Sequence, residues 1–120
     1  MGIVHHATYL IYFEAGRVEW LRRRGITYAE WTARGVQVPV ATASVQYRAP
    51  SRFDDELAIE TTLAKVRSVS LDYTYRILRG PTLIAEGATR LACIGPDDKL
   101  LRIPDEIREA LHAGELDSRS

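Results

Sequence analysis

The sequence predicts an α+β domain in which one long helix packs against an antiparallel sheet. Large apolar side chains recur at helical spacing in the first 24 residues, whereas apolar and polar residues alternate through much of residues 40–94. Breaks at residues 49–51 and 79–81 help to divide this second part into four strands. Helices followed by a run of strands indicate a sheet whose helices lie on one face.

The first helix is predicted from about His6 to Arg24. Its first half carries apolar side chains nearly all round, which is typical of a helix that the rest of the molecule covers on every side. These side chains include Tyr9, Leu10, Ile11 and Phe13. The arginines at residues 22–24 complement the negative end of the helix dipole, and Gly25 is a favourable C-cap.

A second helix is predicted from Thr27 to Arg34, because Thr27 and Glu30 have the spacing of a capping box and Gly35 follows. Strands are predicted at residues 40–48, 57–64, 68–77 and 82–94. The third strand shows the clearest alternation, which is typical of a half-buried antiparallel strand. Its apolar face comprises Val69, Leu71, Tyr73, Tyr75 and Ile77.

A last, short helix is predicted to open at Pro104, with acidic residues in its first turn. The polar tail from Gly114 to Ser120 is expected to fray. At 120 residues, the chain is long enough for one hydrophobic core. Residues 1–120 are therefore predicted to form a single domain.

Charge and composition argue against several classes of protein. Basic and acidic residues both number 16, and a net charge of zero argues against a nucleic-acid partner. No run approaches the ~20 apolar residues of a membrane span, and no secretory signal is apparent. The single cysteine, Cys93, permits no disulfide within the chain and is expected to be a buried strand residue. These features favour a cytoplasmic protein.

The predicted strands also indicate self-association. Strands of about ten residues have long edges, and an unpaired edge pairs readily with another chain. A net charge of zero gives little repulsion between copies. We therefore expect a homodimer that continues the sheet, or a tetramer built from such dimers.

Several segments resemble one protein family. The run GIVHHATYL at residues 2–10, followed by YFE at residues 12–14 and by Arg17, resembles the helix start of hotdog-fold acyl-CoA thioesterases of the 4-hydroxybenzoyl-CoA thioesterase and YbgC-like kind. Further similar segments lie at residues 45–50, 53–57, 85–87 and 102–104. The resemblance implies a hotdog fold, in which a curved antiparallel sheet wraps a long central helix. It also implies hydrolysis of an acyl-CoA thioester to the free acid and CoA, with no cofactor apart from the CoA of the substrate.

The resemblance departs from the family at one catalytic position. The family carries an aspartate three residues before the glycine that matches Gly2, and this aspartate would precede Met1. In the family, that carboxylate attacks the thioester carbonyl or activates the attacking water. We therefore expect the natural reading frame to begin further upstream and to supply one more strand. One alternative is a hotdog protein that binds acyl-CoA without hydrolysing it, and another is a dehydratase acting on acyl-carrier protein through His6 and Glu14.

The start of the first helix is the predicted catalytic site. Free N–H groups at a helix N-terminus donate to a developing oxyanion, and the helix dipole adds positive potential there. The resemblance implies that the backbone N–H near His6, where a loop of residues 5–7 runs into the helix, polarises the thioester carbonyl. It also implies that Gly2 lets the backbone approach the substrate closely. The His6 side chain is expected to add a donor or to hold the water.

Two further residues of this helix are candidates for catalysis. Tyr9 is expected either to line the acyl pocket or donate its hydroxyl, or else to belong to the core. Glu14 follows two turns after His6 on a helix that is expected to be buried, where an acid usually has a partner or a function. It is the expected substitute for the family aspartate, and a salt bridge to Arg17 or Arg48 is the alternative.

The remaining candidates bind the substrate. CoA carries phosphates, which arginine side chains bind well. The expected substrate-binding residues are His5, Arg67, Ser68, Ser70 and Arg102. No metal site is expected, because His5, His6 and Glu14 lack the i, i+4 spacing of helical ligand pairs.

Overall fold

A computed structural model describes the backbone of residues 2–50 and 56–119, and the side chains of residues 8–50 and 56–112. Three helices and four strands make up this part of the chain. In chain order they are α1 Gly2–Arg23, α2 Tyr28–Ala33, β1 Val40–Tyr47, β2 Ala58–Val66, β3 Ser70–Arg79, β4 Thr82–Ala92 and α3 Asp105–Arg119. This order confirms the predicted α+β class.

The predicted boundaries of the two longer helices are wrong at one end each. Helix α1 begins at Gly2 rather than near His6, and α3 continues past Gly114 to Arg119, where a frayed tail was expected. The capping signal that predicted the start of α2 agrees with the structure. The Thr27 hydroxyl accepts a hydrogen bond from the Glu30 N–H at 3.2 Å and caps α2.

Left-handed glycines end the first two helices, as the sequence predicts. Gly25 follows α1 with a φ of 74°, and Gly35 follows α2 with a φ of 79°. Residues with side chains are strained in this region of conformation, whereas glycine is not. These two positions therefore fix where α1 and α2 stop.

The four strands form one antiparallel sheet in the order β1-β4-β3-β2. At the middle of the sheet, Tyr75 of β3 lies opposite Thr61 of β2 on one side and Gly87 of β4 on the other. Strands β1 and β2 are the two edges among the described residues. Both edges carry backbone groups that could pair with a further strand.

Helix α1 packs lengthwise on one face of this sheet. Tyr9 contacts Tyr47 with ring centroids 5.4 Å apart, and Trp20 meets Tyr73 edge-on at 5.7 Å. Between them, the Phe13 ring is stacked on Tyr75 at 4.2 Å. Helix α1 therefore starts at the end of the sheet near Tyr47 and finishes near the start of β3.

Gly87 permits the close approach of α1 at the centre of the sheet. A Cβ at this position would lie 2.5 Å from the Phe13 ring and 2.6 Å from the backbone oxygen of Ser44. Real Cβ atoms do not approach that closely, and the backbone oxygen cannot move aside easily. A glycine on β4 is thus required by packing against Phe13.

The structure corrects the expectation that α1 is covered on every side. Tyr9, Phe13 and Leu21 are buried, but Ile11 is 62% exposed and Val18 is 47% exposed. Strand β1 is also largely exposed, and its terminal residues Val40 and Tyr47 are 45% and 47% exposed. The helix is therefore buried on its sheet-facing side only, within one copy of the chain.

Cys93 is buried, as predicted, and burial raises the pKa of its thiol. Within the described residues, no helix combines the length and the apolar character that crossing a membrane requires.

The outer face of the sheet carries ion pairs. The largest group of them is formed around Asp72, which pairs with two arginines. The carboxylate of Asp72 accepts from Arg90 Nε at 2.8 Å and from Arg67 Nε at 2.9 Å. Hydrogen bonds from Arg90, and then from Arg67, outweigh the effect of burial and lower the pKa of Asp72 below its usual value.

This lowered pKa predicts a loss of stability in acid. Because the folded pKa of Asp72 lies below the unfolded value, its ionised form stabilises the fold fully above about pH 4. That contribution is lost as the pH falls through the folded pKa. We expect Asp72→Asn to lower the free energy of unfolding at pH 7 and to reduce its decline in acid, as measured by urea titration across this range. An unchanged acid-side slope in Asp72→Asn would contradict the assignment.

Candidate active site

The start of α1 differs in geometry from the predicted loop. Gly2, His5 and His6 all lie within the first two turns of α1, and the side chains of these residues lie outside the described part. A helix leaves its first four N–H groups without intrahelical partners. The free donors that a helix with these bounds leaves at its described residues are those of residues 2–4 rather than that of His6.

Tyr9 is a core residue in the structure. Its side chain is 3% exposed and packs between the rings of Tyr12 and Tyr47, at centroid distances of 5.8 Å and 5.4 Å. Of the two expectations for Tyr9, packing is therefore the one that the contacts support directly.

Glu14 does not lie in a buried environment, contrary to the expectation from the sequence. It is exposed, and it lies on the rim of a cavity of about 350 Å³ between α1, α2 and residues 36–40. Among the described residues, no ion pair joins Glu14 to Arg17 or to Arg48, whose guanidinium instead pairs with Glu86. The salt bridge that was the alternative role for Glu14 is therefore not formed.

Arg17 is the buried cation of this cavity. It is only 6% exposed, and its Nη1 donates to the Tyr75 hydroxyl at 3.0 Å. That hydroxyl in turn lies 2.6 Å from the hydroxyl of Thr89. Burial alone would lower the pKa of Arg17, but the hydrogen bond to Tyr75 and the proximity of Tyr28 raise it overall. The guanidinium is therefore charged inside the molecule.

From the sequence, Arg17 was expected only as part of the family-like run and as a salt-bridge partner of Glu14. One signal of its burial was nevertheless present, because Arg17 follows Phe13 by four residues and precedes Leu21 by four. Residues at this spacing share one helix face. A cation between two core residues on that face is a buried charge, and buried charges need partners.

Apart from His5, which lies in the first turns of α1, the predicted CoA-binding residues lie far from the start of that helix. Ser70 begins β3, whereas Ile77 lies near the end of the sheet where α1 starts. Seven strand residues separate them, or about 23 Å at 3.3 Å per residue. One protomer therefore does not bring this group together with the N-terminus of its own α1.

The individual contacts of these residues are structural. Arg67 pairs with Asp72, and Arg102 donates to Asp105 at 3.1 Å. The backbone oxygen of Ser68 accepts from the Ile103 N–H at 2.9 Å, and Ser70 is 8% exposed. Among the described residues, His, Cys, Asp and Glu side chains form no group of three that would hold a metal ion.

Comparison with known proteins identifies relatives across most of the chain. The model of the thioesterase-like superfamily matches residues 1–111. The acyl-CoA thioester hydrolase YbgC of Escherichia coli is 35% identical over 96 residues, which cover 79% of this chain and 72% of the relative.

Two solved structures show the same architecture. The hypothetical protein TT1821 from Thermus thermophilus has a TM-score of 0.85 and 40% identity, covering 91% of this chain and 84% of that one. The DHNA-CoA thioesterase from Staphylococcus aureus has a TM-score of 0.82 and 26% identity, covering 90% of this chain and 76% of that one.

Proposed function

This chain belongs to the thioesterase-like superfamily and has the expected hotdog fold, and from this premise we propose that it hydrolyses an acyl-CoA thioester to the free acid and CoA. The observation that carries the proposal is the similarity to YbgC over 79% of the chain, because that relative is an acyl-CoA thioester hydrolase. Two features of the protein also support the proposal. The start of α1 offers N–H donors for the thioester oxygen, and Glu14 on the cavity rim offers a carboxylate that can act as a base.

The proposed reaction uses backbone donors and one carboxylate. The free N–H groups at residues 2–4 bind the thioester oxygen, and the dipole of α1 stabilises the negative charge that develops on it. Glu14 takes a proton from water as the water oxygen bonds to the carbonyl carbon. The tetrahedral intermediate then collapses and the carbon–sulfur bond breaks. The departing thiolate of CoA takes up the proton that Glu14 accepted, which returns Glu14 to its ionised form.

The two groups cannot act on one carbonyl within a single copy. Glu14 lies ten residues after Val4, the last of the free donors, and this separation corresponds to about 15 Å along the helix axis. Hydrogen bonds to one reacting group require distances near 3 Å. The proposed site therefore combines the start of α1 in one protomer with Glu14 of the partner subunit.

The exposed surfaces of the protomer support the same dimer. The edge of β1 has no strand partner among the described residues, and both faces of β1 are largely exposed. Ile11 and Val18 lie exposed on α1. A second copy that pairs with β1 would continue the sheet and cover apolar surface that one copy leaves in water. Sedimentation of the full chain as a monomer at micromolar concentration would contradict this arrangement.

Release of CoA thiol from a panel of short, aromatic and long acyl-CoAs tests the proposed activity. We expect turnover of at least one member of the panel by the purified chain without added metal. Binding of acyl-CoA without any thiol release would contradict the proposal and would support a binding protein instead.

Substitution of His6 tests the catalytic role that we propose for the first turns of α1. We propose that the His6 side chain adds a donor to the developing oxyanion or holds the attacking water. We therefore expect His6→Ala to lower kcat by about 10- to 100-fold, because one positioned donor contributes about 1.5–3 kcal/mol when it acts on a charged group. The midpoint of thermal unfolding should change little. Measuring both quantities on the same preparation separates the two effects, and an equal loss of fold and activity would refute a catalytic role.

A further inference from the structure

The cavity beside Arg17 contains a charge that the protein itself does not neutralise. We refer to the space lined by Arg17, Tyr28 and residues 36–40 as the Arg17 cavity. Arg17 is only 6% exposed, and among the described residues it forms no salt bridge with any carboxylate. Its Nη1 donates to the hydroxyl of Tyr75, and the hydroxyl of Tyr28 lies close enough to interact with it, but both of these partners are neutral phenols. A buried cation is costly unless an anion is near.

Two buried polar groups at this cavity lack a well-formed hydrogen bond, although their side chains interact with each other. They are Arg17 Nε and the hydroxyl of Tyr28, both of which belong to residues that line the cavity. Native proteins rarely leave such groups unpaired without water or a ligand. A positive charge together with free N–H and O–H donors is the complement of an oxyanion.

The rest of the lining determines which anion fits. Val36, Val38, Pro39 and Val40 present apolar surface beside the single cation. A guanidinium matches a planar carboxylate through two parallel hydrogen bonds, whereas one cation neutralises only half the charge of a phosphate dianion. We propose that the Arg17 cavity binds a small organic monocarboxylate, with the carboxylate on Arg17 and Tyr28 and its apolar body against the valines.

Glu14 opposes this binding and provides an internal control. Its carboxylate lies exposed on the rim of the cavity and acts electrostatically on Tyr28. Solvent exposure and salt weaken the interaction between Glu14 and an incoming anion, but the interaction remains repulsive. Glu14→Gln is therefore expected to tighten carboxylate binding, whereas loss of the Arg17 charge weakens it.

The inference does not depend on turnover. A free acid is also the product of the proposed hydrolysis, but the cavity is defined by Arg17 and not by the N-terminus of α1. Direct binding measurements with stable acids give their result whether or not the chain hydrolyses thioesters. Failure of the acid to bind and failure of the thiol-release assay are therefore separate outcomes.

The test is a titration of the full chain with benzoate, hexanoate and inorganic phosphate at constant ionic strength, followed by two-dimensional amide NMR. We expect saturable shifts of the Gln37 and Val38 amides with a dissociation constant of about 1 mM or lower for at least one carboxylate. Phosphate should bind at least about tenfold more weakly. Equal binding of phosphate, or no saturable shift with either acid, would overturn the proposal.

Matched variants locate the site. Arg17→Lys is expected to weaken carboxylate binding by about 10- to 100-fold, because a charged hydrogen bond contributes about 1.5–3 kcal/mol. If this variant fails to fold, Val38→Trp tests the same point, since Val38 is only half-buried and the larger ring fills the cavity. Arg48→Lys, on an exposed arginine that pairs with Glu86, should leave binding unchanged. Binding that survives Val38→Trp would show that the acid lies elsewhere.

Discussion

Replacing Phe13 with alanine is expected to lower the free energy of unfolding by about 3–5 kcal/mol. The Phe13 ring is fully buried, is stacked on Tyr75 at 4.2 Å, and fills the space that Gly87 leaves open. Truncation removes this apolar contact and leaves a cavity at the centre of the helix–sheet interface. Because the surrounding strands are held in register on both sides, they can collapse only partly into that cavity.

Chemical denaturation measures this effect directly. The midpoint in urea should fall, whereas the slope of the transition should remain nearly constant if unfolding stays two-state. Leu100→Ala is a suitable control, because Leu100 is 65% exposed and its truncation should change the stability by less than about 0.5 kcal/mol. A loss below about 1 kcal/mol in Phe13→Ala would mean that α1 does not pack on the sheet at this point.

Replacing Glu14 with glutamine is expected to lower kcat for acyl-CoA hydrolysis by about 10²- to 10⁴-fold, since a general base contributes a factor of this size. Glutamine has nearly the same shape but cannot accept a proton from water. Because Glu14 is exposed and forms no ion pair among the described residues, the substitution should leave the unfolding free energy almost unchanged. A catalytic effect would therefore be visible without an accompanying loss of structure.

A matched substitution on another surface helix controls for the loss of charge. Glu109 lies exposed on α3, and Glu109→Gln should retain full activity. The same Glu14→Gln preparation should bind benzoate more tightly, so that slower turnover and tighter acid binding are measured on one variant. Full activity in Glu14→Gln would exclude Glu14 as the base while leaving the thioesterase reaction itself intact.

Local signals in the sequence predicted most of the element boundaries correctly. The Thr27 cap of α2 and the left-handed glycines at residues 25 and 35 act through contacts within a few residues, so the sequence pattern contains them completely. The alternation in β3 likewise predicted which side chains are buried, because successive strand residues point to opposite faces. The start of α1 was placed late because the family resemblance implied a loop at residues 5–7, although this segment contains no strong helix-breaking residue.

The candidate site was predicted less completely, and the reasons are specific. Glu14 was selected on the assumption that α1 is buried all round, but helical periodicity shows which faces are apolar and not what covers them. Arg67 and Ser70 were grouped with the start of α1, although the register of the sheet places them at its other end. Distances along the sheet depend on pairings between residues far apart in the chain.

The amino-acid pattern alone was sufficient for the fold class, the order of the elements, the buried face of β3 and the family resemblance, since each depends on periodicity or on short motifs. The burial of Arg17 beside Tyr75, the cavity around it and the exposure of Glu14 on the rim of that cavity emerged only from the folded chain. The physical reason is that burial and electrostatic environment are set by whichever distant segments pack together. Arg17 and Tyr75, for example, are 58 residues apart in sequence. They come into contact only because the Phe13 ring packs against Gly87 and so places α1 on the sheet.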